Sequence, residues 1–191
     1  MTKPYIIGIA GGSASGKSTF CERLEQNLSN YKVLSIHTDH YFKSKDIRPL
    51  AKAPITGKIY LDDNHPETLN LSQLRQDLKE AICDKKADII IIEGLLVLAD
   101  EVICDMLNLK LFIECRADER IVRRLKRNMA RGLSFDEIAN VYLDMVRYRH
   151  DEFVEPSKWK ADFILNGSNF SEKALELITA SVELFVGQRP H

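Results

Sequence analysis

The chain has 191 residues, 45% of them hydrophobic and 29% charged, with a formal net charge of −1. That composition excludes disordered, collagen-like and low-complexity classes, and the length suits one domain with its own core. The near-neutral balance argues against general nucleic-acid binding, and apolar runs such as residues 89–92 are far too short to span a bilayer. The N-terminal stretch lacks a signal peptide's long apolar region, so a cytoplasmic protein is expected. Cys21, Cys83, Cys104 and Cys115 form no C-x-x-C pair and the five histidines show no metal spacing, which predicts four reduced thiols.

Residues 5–10 form a short apolar run ending in glycines and read as a buried strand. Residues 17–28 carry Phe20, Leu24 and Leu28 at steps of four and read as a helix. A second strand is predicted at 32–36. Residues 43–66 hold Pro49, Pro54, Pro66 and Gly57 among many charges and read as an irregular insertion. A helix follows at 70–83, then strands at 88–92 and 110–114. Residues 117–131 read as a basic helix, and 134–147 as another, opened by a capping box of Ser134 and Glu137. A fifth strand at 161–165 and a helix at 171–186 complete the chain. Short buried strands alternating with helices predict an α/β fold with a parallel sheet flanked by helices, in one domain spanning 1–191.

Gly11, Gly12, Ser13, Ala14, Ser15, Gly16, Lys17 and Ser18 match G-x-x-x-x-G-K-[ST], and Thr19 follows. A loop that wraps phosphate oxygens cannot carry bulky side chains at its bends, and glycine removes them. Its backbone N–H groups then form an anion nest at the positive end of the following helix. Lys17 adds a point charge at the β- and γ-phosphates, and the Ser18 hydroxyl suits Mg²⁺. The motif lies between a predicted strand and a predicted helix, the setting it requires.

Two carboxylates complement the loop. Glu93 ends the 88–92 strand, at the sheet edge where ligands of parallel sheets collect, and is an expected metal ligand. Asp39 follows the second strand and would lie on the same edge. There it can accept the proton of an attacking hydroxyl, or simply cap a turn. Residues 116–131 hold seven basic residues against two acidic ones. Arg120, Arg124, Arg127 and Arg131 recur at steps of four, three and four, so they are expected on one helix face. Such a stripe can act as a lid, from 116 to 133, that closes over transferring phosphates, or it can serve as a nucleic-acid face.

The succession GGSASGKS, TDHYFK, NHPETLN, IIIIEGLLVL, RRLKRNMARG and VRYRHDEFVEPSKWKADFILNG resembles the uridine kinase and phosphoribulokinase family of P-loop kinases, over roughly residues 5 to 170. The resemblance implies five parallel strands in a three-layer α/β/α arrangement, ATP (or GTP) with Mg²⁺, and a small-molecule acceptor with a primary hydroxyl. It makes Asp39 the catalytic base and a further metal contact beside Ser18 and Glu93. It gives Lys17, Arg124, Arg127 and Arg131 to the phosphates and Asn166 and Gly167 to the nucleotide's adenine. The acceptor side would comprise Asp39, Tyr41, Asp63, Asn64, His65 and Arg124. No nucleic-acid or membrane partner is implied, and self-association stays open.

Four positions depart from the family pattern. The hairpin that holds the pyrimidine, expected before the Glu93 strand, has no residues to form it. The ribose-binding Asp is Asn64, with Asp63 adjacent; a second lid arginine is Leu133; a base-contacting glutamine is Val141. Uridine or cytidine is the first expectation for the acceptor, with another riboside such as nicotinamide riboside, or another hydroxylated metabolite, as the alternative. A regulatory nucleotide-binding module without an acceptor is the third; neither an N-K-x-D nor an L-S-G-G-Q motif is present.

Overall fold

A computed structural model describes residues 3–187; Met1, Thr2 and residues 188–191 of the expected 1–191 domain lie outside them. Five parallel strands form the central sheet: β1 (Tyr5–Gly11), β2 (Val33–His37), β5 (Ile89–Glu93), β6 (Leu109–Glu114) and β7 (Phe163–Asn166). Their spatial order is β2-β5-β1-β6-β7. From β1 the chain goes to the edge strand β2, returns with β5 between the two, then crosses β1 and builds outward through β6 and β7. The reversal leaves a crevice at the carboxyl end of β1, where open α/β sheets bind ligands.

Alternation within the strands divides the core. Ile6, Ala10, Ile90, Ile92 and Phe112 face one layer, which is closed by Leu74 and Leu78 of α2 (Leu71–Asp84) and by Ile103 of the short α3 (Glu101–Cys104). Tyr5, Ile7, Ile9, Ile89, Ile91, Leu111 and Ile113 face the other, under Phe20, Cys21 and Leu24 of α1 (Lys17–Asn27) and Leu175, Ile178 and Val182 of the final helix, α7 (Glu172–Gly187). β1 and β5 are buried along their whole length, the reason they read as unbroken apolar runs. All four cysteines are unpaired, and three are buried. Among the described residues no helix is long and apolar enough to cross a membrane.

The structure corrects three expectations. The 43–66 insertion is not irregular throughout: β3 (Leu50–Lys52) and β4 (Ile59–Leu61) form an antiparallel hairpin apart from the main sheet. Its three-residue strands are too short for alternation to register, and its proline and glycine belong to the turn, where the Gly57 N–H donates to the Ala53 carbonyl at 3.0 Å. The second strand ends at His37, not residue 36, which sets His37 beside Glu93 in the β2–β5 register. The basic helix α4 (Ala117–Met129) forms as expected. The helix predicted at 134–147, however, is a relay: α5 (Phe135–Val141), a π-helical stretch Tyr142–Val146, α6 (Arg147–Arg149), a second π stretch His150–Val154, and a 3₁₀ stretch Glu155–Lys160 containing Pro156. The capping box does open it, with Ser134 Oγ accepting from the Glu137 N–H at 3.3 Å and Glu137 Oε2 from the Ser134 N–H at 2.8 Å.

Phe112 is among the largest fully buried side chains and sits in the middle of the sheet. Phe112→Ala is expected to lower stability by about 3–5 kcal/mol. Urea denaturation checks this, and an unchanged midpoint would contradict the placement of the core.

Candidate functional site

The phosphate-loop sequence follows β1 directly and turns into α1. Gly16 stands at the N-cap of α1 with φ 101°, a left-handed conformation that a Cβ would strain. The Ser15 N–H donates to the Gly12 carbonyl at 3.0 Å, which closes the loop on itself. Ser15 Oγ is buried with no partner within the protein.

Three side chains meet at Glu93, the last residue of β5. Its carboxylate is buried and lies 3.6 Å from Lys17 Nζ. Ser18 Oγ donates to it at 3.3 Å, and His37 Nδ1 lies at 3.1 Å. A buried carboxylate needs charge and hydrogen-bond partners, and here the first turn of α1 supplies two and the neighbouring strand one. Asp39 sits in a 3₁₀ turn, Thr38–Tyr41, directly after β2 and is exposed on the same edge. The turn can approach β5 because residue 94 is glycine: an added Cβ would stand 1.8 Å from Thr38 Oγ1.

The arginines of α4 separate by role. Arg124 Nη1 and Arg127 Nη2 both donate to Ser13 Oγ, at 3.1 and 3.3 Å, which draws them over the loop. Burial, then the Arg127 charge, pulls the Arg124 pKa down, with Asp63 and Tyr142 acting the other way. Burial also lowers Arg127, with Arg131 next, while Asp39 opposes the shift. The Arg131 charge thus opposes the Arg127 charge while Asp39 favours it. Arg124 Nε is buried without a partner. The expected single stripe is otherwise incomplete. Arg120 is buried, and its Nε donates to the Cys115 carbonyl at 3.0 Å. Steps of four and three fix a helix face but not how deep each residue of that face lies.

Arg123, which the sequence reading passed over, donates to the Gly167 carbonyl (2.7 Å) and the Ser168 carbonyl (3.0 Å). Its i,i+4 partner Glu119 was the available signal. Thr19, Asn166 and Gly167 do come together: with Gly16, Phe20 and Arg123 they line a cavity of about 160 Å³ beside the loop. Asn166 Oδ1 accepts from the N–H groups of Ser168 and Asn169, which shapes the turn.

The residues expected on the acceptor side are differently engaged. Tyr41 donates its hydroxyl to Asp77 of α2 at 2.8 Å; burial, then Asp77, pushes its pKa up to about 12. Asp63 pairs with Arg48 at 2.8 Å. The carboxylate buried here is Asp62, which accepts from Arg149 Nε at 2.7 Å and from the Asn64 N–H at 3.3 Å. Nothing in the Asp-Asp-Asn run told these three apart, because the partner arginine lies 87 residues away. His65 accepts the Glu67 N–H on Nδ1 and sets its ring edge-on to Phe153, centroids 5.0 Å apart.

A parallel sheet with this order, a phosphate loop after its central strand and a carboxylate at the end of the adjacent strand define a P-loop phosphotransferase. The comparisons agree. The model of the phosphoribulokinase/uridine kinase family matches residues 58–172. Uridine kinases of Bacillus thuringiensis (strain Al Hakam) and Bacillus cereus (strain AH187) are each 28% identical over 210 residues, covering 98% of this chain and 97% of theirs. Among solved structures, a candidate fructose transport system kinase from Silicibacter sp. TM1040 superposes with a TM-score of 0.61 at 15% identity. A possible uridine kinase from Bacillus stearothermophilus does so with 0.57 at 16%. Each covers 86% of this chain, and 90% of the neighbour is covered. The chain belongs to the phosphoribulokinase/uridine kinase family, and it is a kinase acting on an alcohol acceptor.

Gly12, Arg120, His150 and Glu155 line a second cavity of about 860 Å³, which shares Asn166 and Ser168 with the first. His150 Nε2 lies 3.3 Å from Glu155, and its Nδ1 is buried without a partner. Burial, then Arg120, lowers the His150 pKa from the ordinary 6.5. The unfolded chain therefore takes up a proton near pH 6.5 that the folded chain takes up only at lower pH, so stability falls as pH drops below about 6.5. His150→Gln should flatten this slope in urea midpoints compared between about pH 8 and about pH 5.5. Parallel slopes in wild type and variant would contradict it.

Proposed function

We propose that this chain transfers the γ-phosphate of ATP, or GTP, to the primary, 5′-type hydroxyl of a nucleoside, with uridine or cytidine as the acceptor. The observation that carries this reading is the meeting of Lys17, Ser18 and Glu93 below the loop, while Asp39 acts on Arg127 above it. Phosphate, metal and proton acceptor would then share one sheet edge.

The residues fit a magnesium nucleotide. The loop holds a hydroxyl, Ser15 Oγ, and the lid an N–H, Arg124 Nε, that the fold itself leaves unused. Ser18 and Glu93 together offer Mg²⁺ the one or two protein oxygens it takes beside phosphate and water. When bound, the nucleotide supplies the phosphoryl group and Mg²⁺ neutralises its charge. Gly11, Gly12, Ala14 and Gly16 present the loop backbone, and Lys17 binds the phosphates as a point charge. Arg124, Arg127 and, from the lid's end, Arg131 stabilise negative charge as it moves to the leaving oxygen. Asp39 accepts the hydroxyl proton as the acceptor attacks. The cavity formed by Thr19, Asn166 and Gly167 receives the adenine, and Asp63, Asn64 and His65 border the acceptor. The same reading treats 1–191 as a single kinase domain working in the cytoplasm.

A second acceptor reading has a structural basis. α2 runs to Asp84 and β5 starts at Ile89, which leaves residues 85–88 as the whole connection. No base-holding hairpin stands there, so another riboside, such as nicotinamide riboside, is the alternative acceptor.

Asp39→Asn removes only the proton acceptor. It is expected to lower kcat by about 10²–10⁴ while leaving nucleotide affinity nearly unchanged. The check is ADP release with uridine, cytidine and nicotinamide riboside as acceptors, beside calorimetric titration of nucleotide. Wild-type turnover by Asp39→Asn would sink the assignment of the base, and no stimulation by any acceptor would sink the kinase reading of the acceptor class.

A further inference from the structure

The hairpin β3–β4 lacks an apolar anchor of its own. Its inward residues Ala51 and Ala53 are small, whereas Ile47, Leu50, Ile55 and Ile59 on and around it are exposed. Neither strand joins the main sheet, and an isolated two-stranded hairpin is marginal in water. What fixes it is polar. Asp144 Oδ2, buried in the first π stretch, accepts from Thr56 Oγ1 in the hairpin turn at 2.8 Å and from Tyr60 Oη in β4 at 2.6 Å. The hydroxyls of Tyr60 and Thr56 hold the Asp144 carboxyl below its ordinary range, which keeps it an ionised, strong acceptor. Arg149 holds Asp62, immediately after β4, and the other Asp62 oxygen takes the Asn64 N–H. One helical segment therefore grips the hairpin at its turn, its second strand and its exit.

This grip depends on the unusual winding. Five residues along an α-helix are about 140° apart, so Asp144 and Arg149 would diverge. A π turn closes i to i+5 and brings such residues toward the same side. The His150–Glu155 contact at 3.3 Å spans the same five-residue step.

We propose that Asp144 and Arg149 are positioning residues of the acceptor site: through Thr56, Tyr60 and Asp62 they hold the hairpin and the Asp62–His65 run in the arrangement that receives the nucleoside. The proposal rests on the acceptor-side reading given above. Neither residue touches the reacting atoms. Asp62 is itself 1% exposed and acts by orienting Asn64 and His65 rather than by meeting the ligand.

The test uses the full chain with the nucleoside that the acceptor panel selects. Tyr60→Phe removes one hydroxyl from a half-buried position and is expected to raise acceptor KM about three- to tenfold, with kcat and nucleotide affinity kept. Asp144→Ala should raise it further, and Asp144→Asn, which still accepts hydrogen bonds, should recover part of the loss. Hydrogen exchange over residues 48–62 should quicken in the same order. If Asp144→Ala does not fold, Tyr60→Phe and Asp144→Asn decide alone. Unchanged acceptor KM in Tyr60→Phe and Asp144→Ala, or a matching fall in nucleotide affinity, overturns the proposal. An inactive Asp39→Asn beside silent Tyr60→Phe and Asp144→Ala condemns the clamp alone, whereas an active Asp39→Asn condemns the site reading beneath it.

Discussion

A carboxylate buried at the end of a central strand is costly unless something charged comes to meet it, and Glu93 is such a group. β5 runs between β1 and β2, so its end is reached from both sides. Lys17 and Ser18 arrive from the helix that follows β1, and His37 arrives from the end of β2 in direct register. The phosphate loop is thereby tied to the sheet by electrostatics as well as by chain connection. Removing Glu93 would leave the Lys17 ammonium without its only ion-pair partner among the described residues. The loop's geometry and the composition of the sheet edge are one constraint.

Above this node the charge is reversed. Arg124, Arg127 and Arg131 crowd together, and their mutual repulsion, added to burial, depresses the pKa values of the first two. Ser13 offers them a neutral oxygen, which is a poor substitute for an anion. The result is a paired layer around Glu93 and an under-neutralised layer facing it across the loop. That asymmetry is an electrostatic preference for a polyanion, and it comes from placement within a chain of net charge −1.

The sheet was legible in the sequence because β1 and, up to Glu93, β5 are buried on both faces and read as apolar runs. The loop and Glu93 were legible because their chemistry admits few residue types. The contacts around Asp62, Asp63 and Asn64 were not. Asp62, Asp63 and Asn64 look alike as a run, yet one is buried on Arg149, one is paired with Arg48 and one donates its backbone N–H. Distances of 87 residues in the chain carry no local signature. Nor does π winding: residues 134–147 keep a helical pattern in the sequence. The hairpin escaped notice for a related reason, since its six strand residues hold one buried side chain.

The widened turns give this helix an arithmetic of its own. A π turn accommodates one residue more than an α turn, so the segment after α4 contains length that ordinary winding would not need. Loss of a single residue between Tyr142 and Val146 would let the backbone relax into a regular helix and swing everything beyond it by about 100°. Arg149 would leave Asp62, and His150 would leave the rear of the phosphate loop. Substitutions along this stretch act one contact at a time, whereas a change in its length would disengage both halves of the site together. Across diverging relatives, the residue count of this helix should therefore be kept more strictly than its composition.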